Sequence, residues 1–107
     1  MECGRILETL KKYKLDKNTF VVFFSDNGPV INNGGSTGGY RGAKGAPWEG
    51  GHRVPGICYM PGTVKGGTMC KQTVMSFDLF PTMLDMANIH YDDSKKKLDG
   101  ASLVPLV

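Results

Sequence analysis

Residues Thr19–Pro29 read TFVVFFSDNGP, and the abrupt change of character inside this stretch decides the fold. Thr19 to Phe24 are β-branched or aromatic without a break, too short a run for a buried helix. Such a run is the pattern of a parallel strand covered on both faces. Ser25, Asp26, Asn27, Gly28 and Pro29 then end it, each residue a turn former. Ligands of open α/β sheets collect at the carboxyl ends of strands, and Asp26 and Asn27 stand at that end. Two readings of the pair compete. Short polar side chains can cap a turn by satisfying local backbone groups. A carboxylate beside an amide oxygen can also hold a hard cation such as Ca²⁺ or Mg²⁺, with further ligands from elsewhere, since two oxygens do not fill the shell.

The flanking sequence supplies the rest of an α/β layer. Ile6, Leu7, Leu10 and Tyr13 recur at helical spacing, with Glu8, Lys11 and Lys12 opposite, which predicts a helix from Glu2 to Tyr13. A helix, the turn LDKN and a buried strand in that order make half of such a layer. Arg53 to Met60, RVPGICYM, reads as a second strand with Pro55 at its start or edge. SFDLFPTMLDMANI reads as a helix with Asp78 as N-cap and Pro81 in its first turn. Its apolar face is Leu79, Phe80, Met83, Leu84 and Met86. The tail is polar, then apolar from Leu103 to Val107, as if an element were cut there.

Bulk properties narrow the function only by exclusion. The 107 residues suit one domain or part of one. A net charge of +3 with scattered basic residues gives no footprint for nucleic acid. The lysine run Lys95 to Lys97 reads as a solvated turn. No apolar run is long enough to span a bilayer. Cys3, Cys58 and Cys70 form no C-x-x-C pair and read as buried or free thiols. Most of the 15 glycines lie between Gly28 and Gly67, so the middle of the chain is expected to be loop.

Within that middle, GGYRGAKGAPWEGG (Gly38–Gly51) could cradle an anion. Glycines let backbone N–H groups converge, and Arg41 and Lys44 add positive charge. It is neither a Walker A loop nor a G-x-G-x-x-G fingerprint. A flexible surface loop is the competing reading. Trp48 and Glu49 are expected to pin the loop. His52 and His90 lack partner patterns.

Together, SDNGP, then R-G-x-K-G-x-x-W-E-G-G-x-R-V-P-x-I, then the D-L-F-P-T helix, then LDGASLVPLV resemble the sulfatases in order and spacing. The likeness runs from about Gly4 to Val107, nearest the arylsulfatase and N-acetylgalactosamine-6-sulfatase type. The resemblance implies an α/β fold, part of an alkaline-phosphatase-like sandwich of mostly parallel sheet flanked by helices, incomplete in this chain. It also implies that Asp26 and Asn27 are two oxygen ligands of one Ca²⁺ ion and that Lys44 contacts the sulfate group. Glu49, Gly50, Gly51 and Arg53 would then be the scaffold of the Lys44 loop. The implied substrate is a sulfate ester, a small molecule or a sulfated glycan, in a lysosomal or secreted setting.

The departures carry equal weight. The family nucleophile is a formylglycine made within C-x-P-x-R, and none of the sequences after Cys3, Cys58 and Cys70 fits that motif. The early acidic Ca²⁺ ligands, the second lysine and the catalytic histidines belong to segments upstream, and a smaller C-terminal subdomain would follow. Residues 1–107 are therefore expected to be part of a catalytic domain, inactive alone. Two other readings stand beside this one. A phosphodiesterase or phosphonate hydrolase of the alkaline-phosphatase superfamily is disfavoured by the absence of D-x-H and H-x-x-x-H. A truncated fragment that binds anions or a partner without turnover is the literal reading.

Overall fold

A computed structural model describes residues 2–94 and 96–107; Lys95 of the expected lysine turn lies outside the described residues. The α/β class is as the sequence implies. Helix α1 spans Glu2–Lys12, and strand β1 spans Val21–Phe24. A one-turn helix α2 covers Glu49–His52, strand β2 covers Gly56–Tyr59 and helix α3 covers Leu79–Met86. β1 and β2 pair in a two-stranded sheet.

The chain divides into two compact units, one of Met1–Val21 with Tyr59–Val107 and one of Val22–Cys58. In the first, α1 begins with Glu2 and ends with Lys11 and Lys12, charges that suit the two ends of its dipole. Its predicted apolar stripe forms, but Ile6 and Tyr13 stay exposed. Lys96 and Lys97 are exposed, as expected of a solvated turn.

Packing in this unit concentrates around α3. Asp78 is the N-cap residue of α3, as expected, but its side chain makes no cap hydrogen bond to that helix. Its own backbone is already helical, so its carboxylate faces other donors. One oxygen accepts from the N–H of Met75 at 2.7 Å and the other from Ala101 at 2.9 Å. Thr82, fully buried, donates its hydroxyl to the Asp78 carbonyl at 2.6 Å and accepts the Leu103 N–H at 2.8 Å. Leu103 is the buried apolar residue of this cluster. The tail after it forms a 3₁₀ turn over Val104–Leu106. Phe80 and Met83, on the predicted apolar face of α3, are about half exposed. No helix among the described residues is long and apolar enough to cross a membrane.

The second unit holds most of the sheet and the glycine-rich segment. The strands are shorter than predicted: Thr19 and Phe20 precede β1, and Pro55, which has no N–H to give a ladder, stands just before β2. Phe23 and Phe24 are 58% and 42% exposed, so the strand expected to be covered on both faces is not covered by these residues.

Candidate functional site

The residues after β1 form a turn held by short local bonds. The Ser25 hydroxyl donates to the Asn27 carbonyl at 2.9 Å, and the Asn27 side-chain amide donates to the Gly28 carbonyl at 3.0 Å. The turn-capping reading therefore holds for Ser25 and for the nitrogen end of Asn27. It leaves the Asn27 amide oxygen and the Asp26 carboxylate. Asp26 is exposed and takes part in neither of the two ion pairs among the described residues.

Lys44 comes to this turn through backbone contacts. Its N–H donates to the Pro29 carbonyl at 3.1 Å, and the Gly28 N–H donates to the Gly51 carbonyl at 2.8 Å. The middle and the C-terminal end of the glycine-rich segment are thus tied to the turn that carries Asp26 and Asn27. The Lys44 side chain is exposed and joins neither ion pair.

Close backbone packing explains the glycines. Gly28, Gly50 and Gly51 are buried. A Cβ on Gly28 would overlap the Gly50 carbonyl oxygen, one on Gly50 the Gly42 carbonyl oxygen, and one on Gly51 the Ala46 carbonyl oxygen. The Gly50 N–H also donates to the Arg41 carbonyl at 2.8 Å. Three strands of backbone meet here with no room for side chains, which argues against a freely flexible loop.

This packing also forms α2, which periodicity missed. Glu49, Gly50, Gly51 and His52 make a poor helical sequence on propensity. The turn closes because the Gly51 N–H reaches the Trp48 carbonyl and the Arg53 N–H reaches the Glu49 carbonyl, both at 2.7 Å.

The aromatic and charged residues brace the segment from outside. Arg53 donates to Glu49 at 3.1 Å and lies over the Tyr40 ring at 4.6 Å. Arg41 lies over Trp48 at 3.8 Å. Trp48 and Glu49 do pin the loop, as expected. Tyr40 is the brace that sequence reading passed over, since a Tyr thirteen residues before an Arg carries no recognisable pattern. His52 is exposed at the end of α2, and His90 is exposed in the other unit. The cysteines are all free, Cys3 and Cys70 exposed and Cys58 half-buried. Partial burial pushes the Cys58 thiol up from its ordinary value. No group of three or more His, Cys, Asp or Glu gathers among the described residues.

The arrangement offers two hard oxygen donors at a strand end and an ammonium on a loop tied to the same turn. The oxygens suit a hard cation and the ammonium an anion.

Comparison with known proteins agrees with the motifs. The family model described as Sulfatase matches residues 2–89. The chain is 37% identical to the steryl-sulfatase of Rattus norvegicus, over 97% of this chain and 19% of that protein. It is 39% identical to the N-acetylgalactosamine-6-sulfatase of Mus musculus, over 95% of this chain and 20% of that protein. Among solved structures, Ps i-CgsB in complex with k-i-k-neocarrahexaose superposes with a TM-score of 0.86 at 34% identity, covering 95% of this chain and 22% of that one. PsFucS1 sulfatase from Pseudoalteromonas sp. superposes with a TM-score of 0.82 at 30% identity, over 96% of this chain and 21% of that one. The chain spans about a fifth of the length of the curated relatives it matches. The α/β architecture is accordingly part of an alkaline-phosphatase-like fold, and the chain belongs to the sulfatase family.

Proposed function

We propose that these residues form part of the active site of a sulfatase that hydrolyses sulfate esters, using one Ca²⁺ ion and a formylglycine nucleophile carried outside the 107 residues. The observation that carries this reading is the tie between Lys44 and Pro29, which holds the lysine loop on the turn bearing Asp26 and Asn27. The donor set fits the metal: the Asn27 nitrogen is committed to Gly28, so a carboxylate and an amide oxygen remain for a hard cation. Bound there, Ca²⁺ would supply positive charge for the oxygens of the sulfate ester.

Lys44 has a separate task. Ester cleavage gathers negative charge on the sulfuryl oxygens and the leaving oxygen, and a fixed ammonium stabilises that charge where it develops. A lysine suffices because it acts as a point charge. Gly28, Gly50 and Gly51 hold the loop rigid, so its position is set before substrate arrives. The substrate class is a sulfate ester of a small molecule or a glycan. The glycan option gains support from the oligosaccharide complex of Ps i-CgsB.

The test is a chimera in which this chain replaces the matching fifth of the mouse N-acetylgalactosamine-6-sulfatase. It should hydrolyse an aryl sulfate in the presence of Ca²⁺, and Lys44→Ala should abolish most of that turnover. Undiminished turnover in both Lys44→Ala and the double variant Asp26→Ala/Asn27→Ala would refute the assignment.

A further inference from the structure

Arg41 and Arg53 both lie over aromatic rings, yet their charges face different things. Arg53 is neutralised by Glu49 at 3.1 Å while it covers Tyr40. Arg41 lies 3.8 Å from the Trp48 ring centre and belongs to neither ion pair among the described residues. Stacking uses the flat face of a guanidinium and leaves its in-plane N–H donors available, a fork that matches two oxygens of one oxyanion. The backbone beneath is fixed as well, because the Arg41 carbonyl accepts the Gly50 N–H at 2.8 Å. Both Arg41 and Trp48 are exposed. A guanidinium already held on a ring loses less freedom on binding than a free one.

We propose that Arg41, held on Trp48, determines substrate specificity by clamping a second oxyanion group, sulfate or carboxylate, of a substrate whose ester is bound at Lys44. This rests on the role given to Lys44 above. The two positions are three apart in sequence, at most about 11 Å of extended backbone, so a substrate at one lies within reach of the long side chain at the other. Arg53 cannot take this role, since Glu49 already occupies it.

The test is ¹⁵N NMR of the mouse N-acetylgalactosamine-6-sulfatase chimera, labelled at arginine, lysine and tryptophan, titrated with sodium sulfate and with sodium acetate against sodium chloride at matched ionic strength. The Trp48 indole N–H and the Arg41 side-chain N–H should shift saturably, and the stronger of the two salts identifies the second group. Arg41→Lys keeps the charge but lacks the fork, and should weaken the response about tenfold. Arg41→Gln, neutral with a planar end, is read in parallel, with the amide spectrum of each variant confirming its fold. Lys44→Ala should leave the Arg41 response intact. An equal response in Arg41→Lys, or no saturable shift at Trp48, overturns the proposal even where Lys44 still responds. A response at Arg41 with none at Lys44 instead overturns the Lys44 reading.

Discussion

Gly28 donates its N–H to the carbonyl of Gly51 at 2.8 Å, and a Cβ on Gly28 would occupy the space of the neighbouring Gly50 carbonyl. The same contact that joins the Asp26–Asn27 turn to the lysine loop therefore forbids a side chain. Gly28→Ala should destabilise the unit by about 1–3 kcal/mol or more, as overpacking against backbone does. Hydrogen exchange at the Lys44 amide should accelerate with it. Gly4, in α1, has nothing within 4 Å of an added Cβ, so Gly4→Ala should stabilise the helix by up to ~1 kcal/mol. Equal effects from the two substitutions would remove the packing argument.

Lys44→Ala tests charge without disturbing this backbone, because its tie to Pro29 runs through the main chain. In the chimera, kcat should fall about 10²–10³-fold, the usual cost of one preorganised group facing transition-state charge. Thermal stability should stay within about 0.5 kcal/mol, as for an exposed substitution. A fall in kcat matched by a fall in melting temperature would point to a structural role instead.

Much of this site is legible in the sequence, and the reason differs by residue. The switch from Phe24 to Ser25 marks the strand end by composition alone and sets Asp26 and Asn27 there, while a metal role for the pair comes only from the family resemblance. Lys44 needs the family resemblance, since its spacing from Asn27 has no local meaning. The helix Glu49–His52 and the Tyr40–Arg53 brace are illegible because tertiary packing of glycine backbone creates them against local propensity. The strand at Val21–Phe24 reads as buried from its composition, but its covering belongs to contacts these residues do not make.

Thr82 is the buried polar link between Asp78 and Leu103 in the other unit. Its hydroxyl donates to Asp78 and accepts from the Leu103 N–H. Thr82→Val keeps the shape and deletes both bonds, leaving a buried N–H without a partner. The expected loss is about 1–3 kcal/mol. Thr82→Ser should recover most of it. The readout is the denaturation midpoint together with exchange of the Leu103 amide. A Thr82→Val variant as stable as the parent would show that this hydroxyl holds nothing.

The cysteines should differ in reactivity. Cys3 and Cys70 are exposed, whereas burial raises the Cys58 thiol above its ordinary value. Near neutral pH, iodoacetamide should label Cys3 and Cys70 well before Cys58, because both access and thiolate content control the rate. The same shift has a stability consequence. A raised thiol binds its proton more tightly when folded, so its contribution is complete below the ordinary thiol value and is lost as pH rises through the folded one. The denaturation midpoint should therefore drop in alkaline solution, and Cys58→Ala should flatten that part of the profile. Labelling of Cys58 first would contradict the burial.

Exposed apolar side chains on the sheet set the behaviour of the isolated chain. Phe23, Phe24 and Ile57 are 58%, 42% and 61% exposed on two short paired strands. Gly56 beside Phe24 adds no side chain to cover it, as its Cβ position lies 3.9 Å from that of Phe24. Two-stranded sheets are marginal in water, and uncovered strand edges template pairing with other chains. Amides from Val21 to Phe24 should exchange fast at low concentration, and light scattering should grow with concentration. Phe23→Lys places a charge on the exposed strand and should suppress that growth. Slow exchange throughout Val21–Phe24 in a monomeric sample would mean that the strand is stable without the covering its composition calls for.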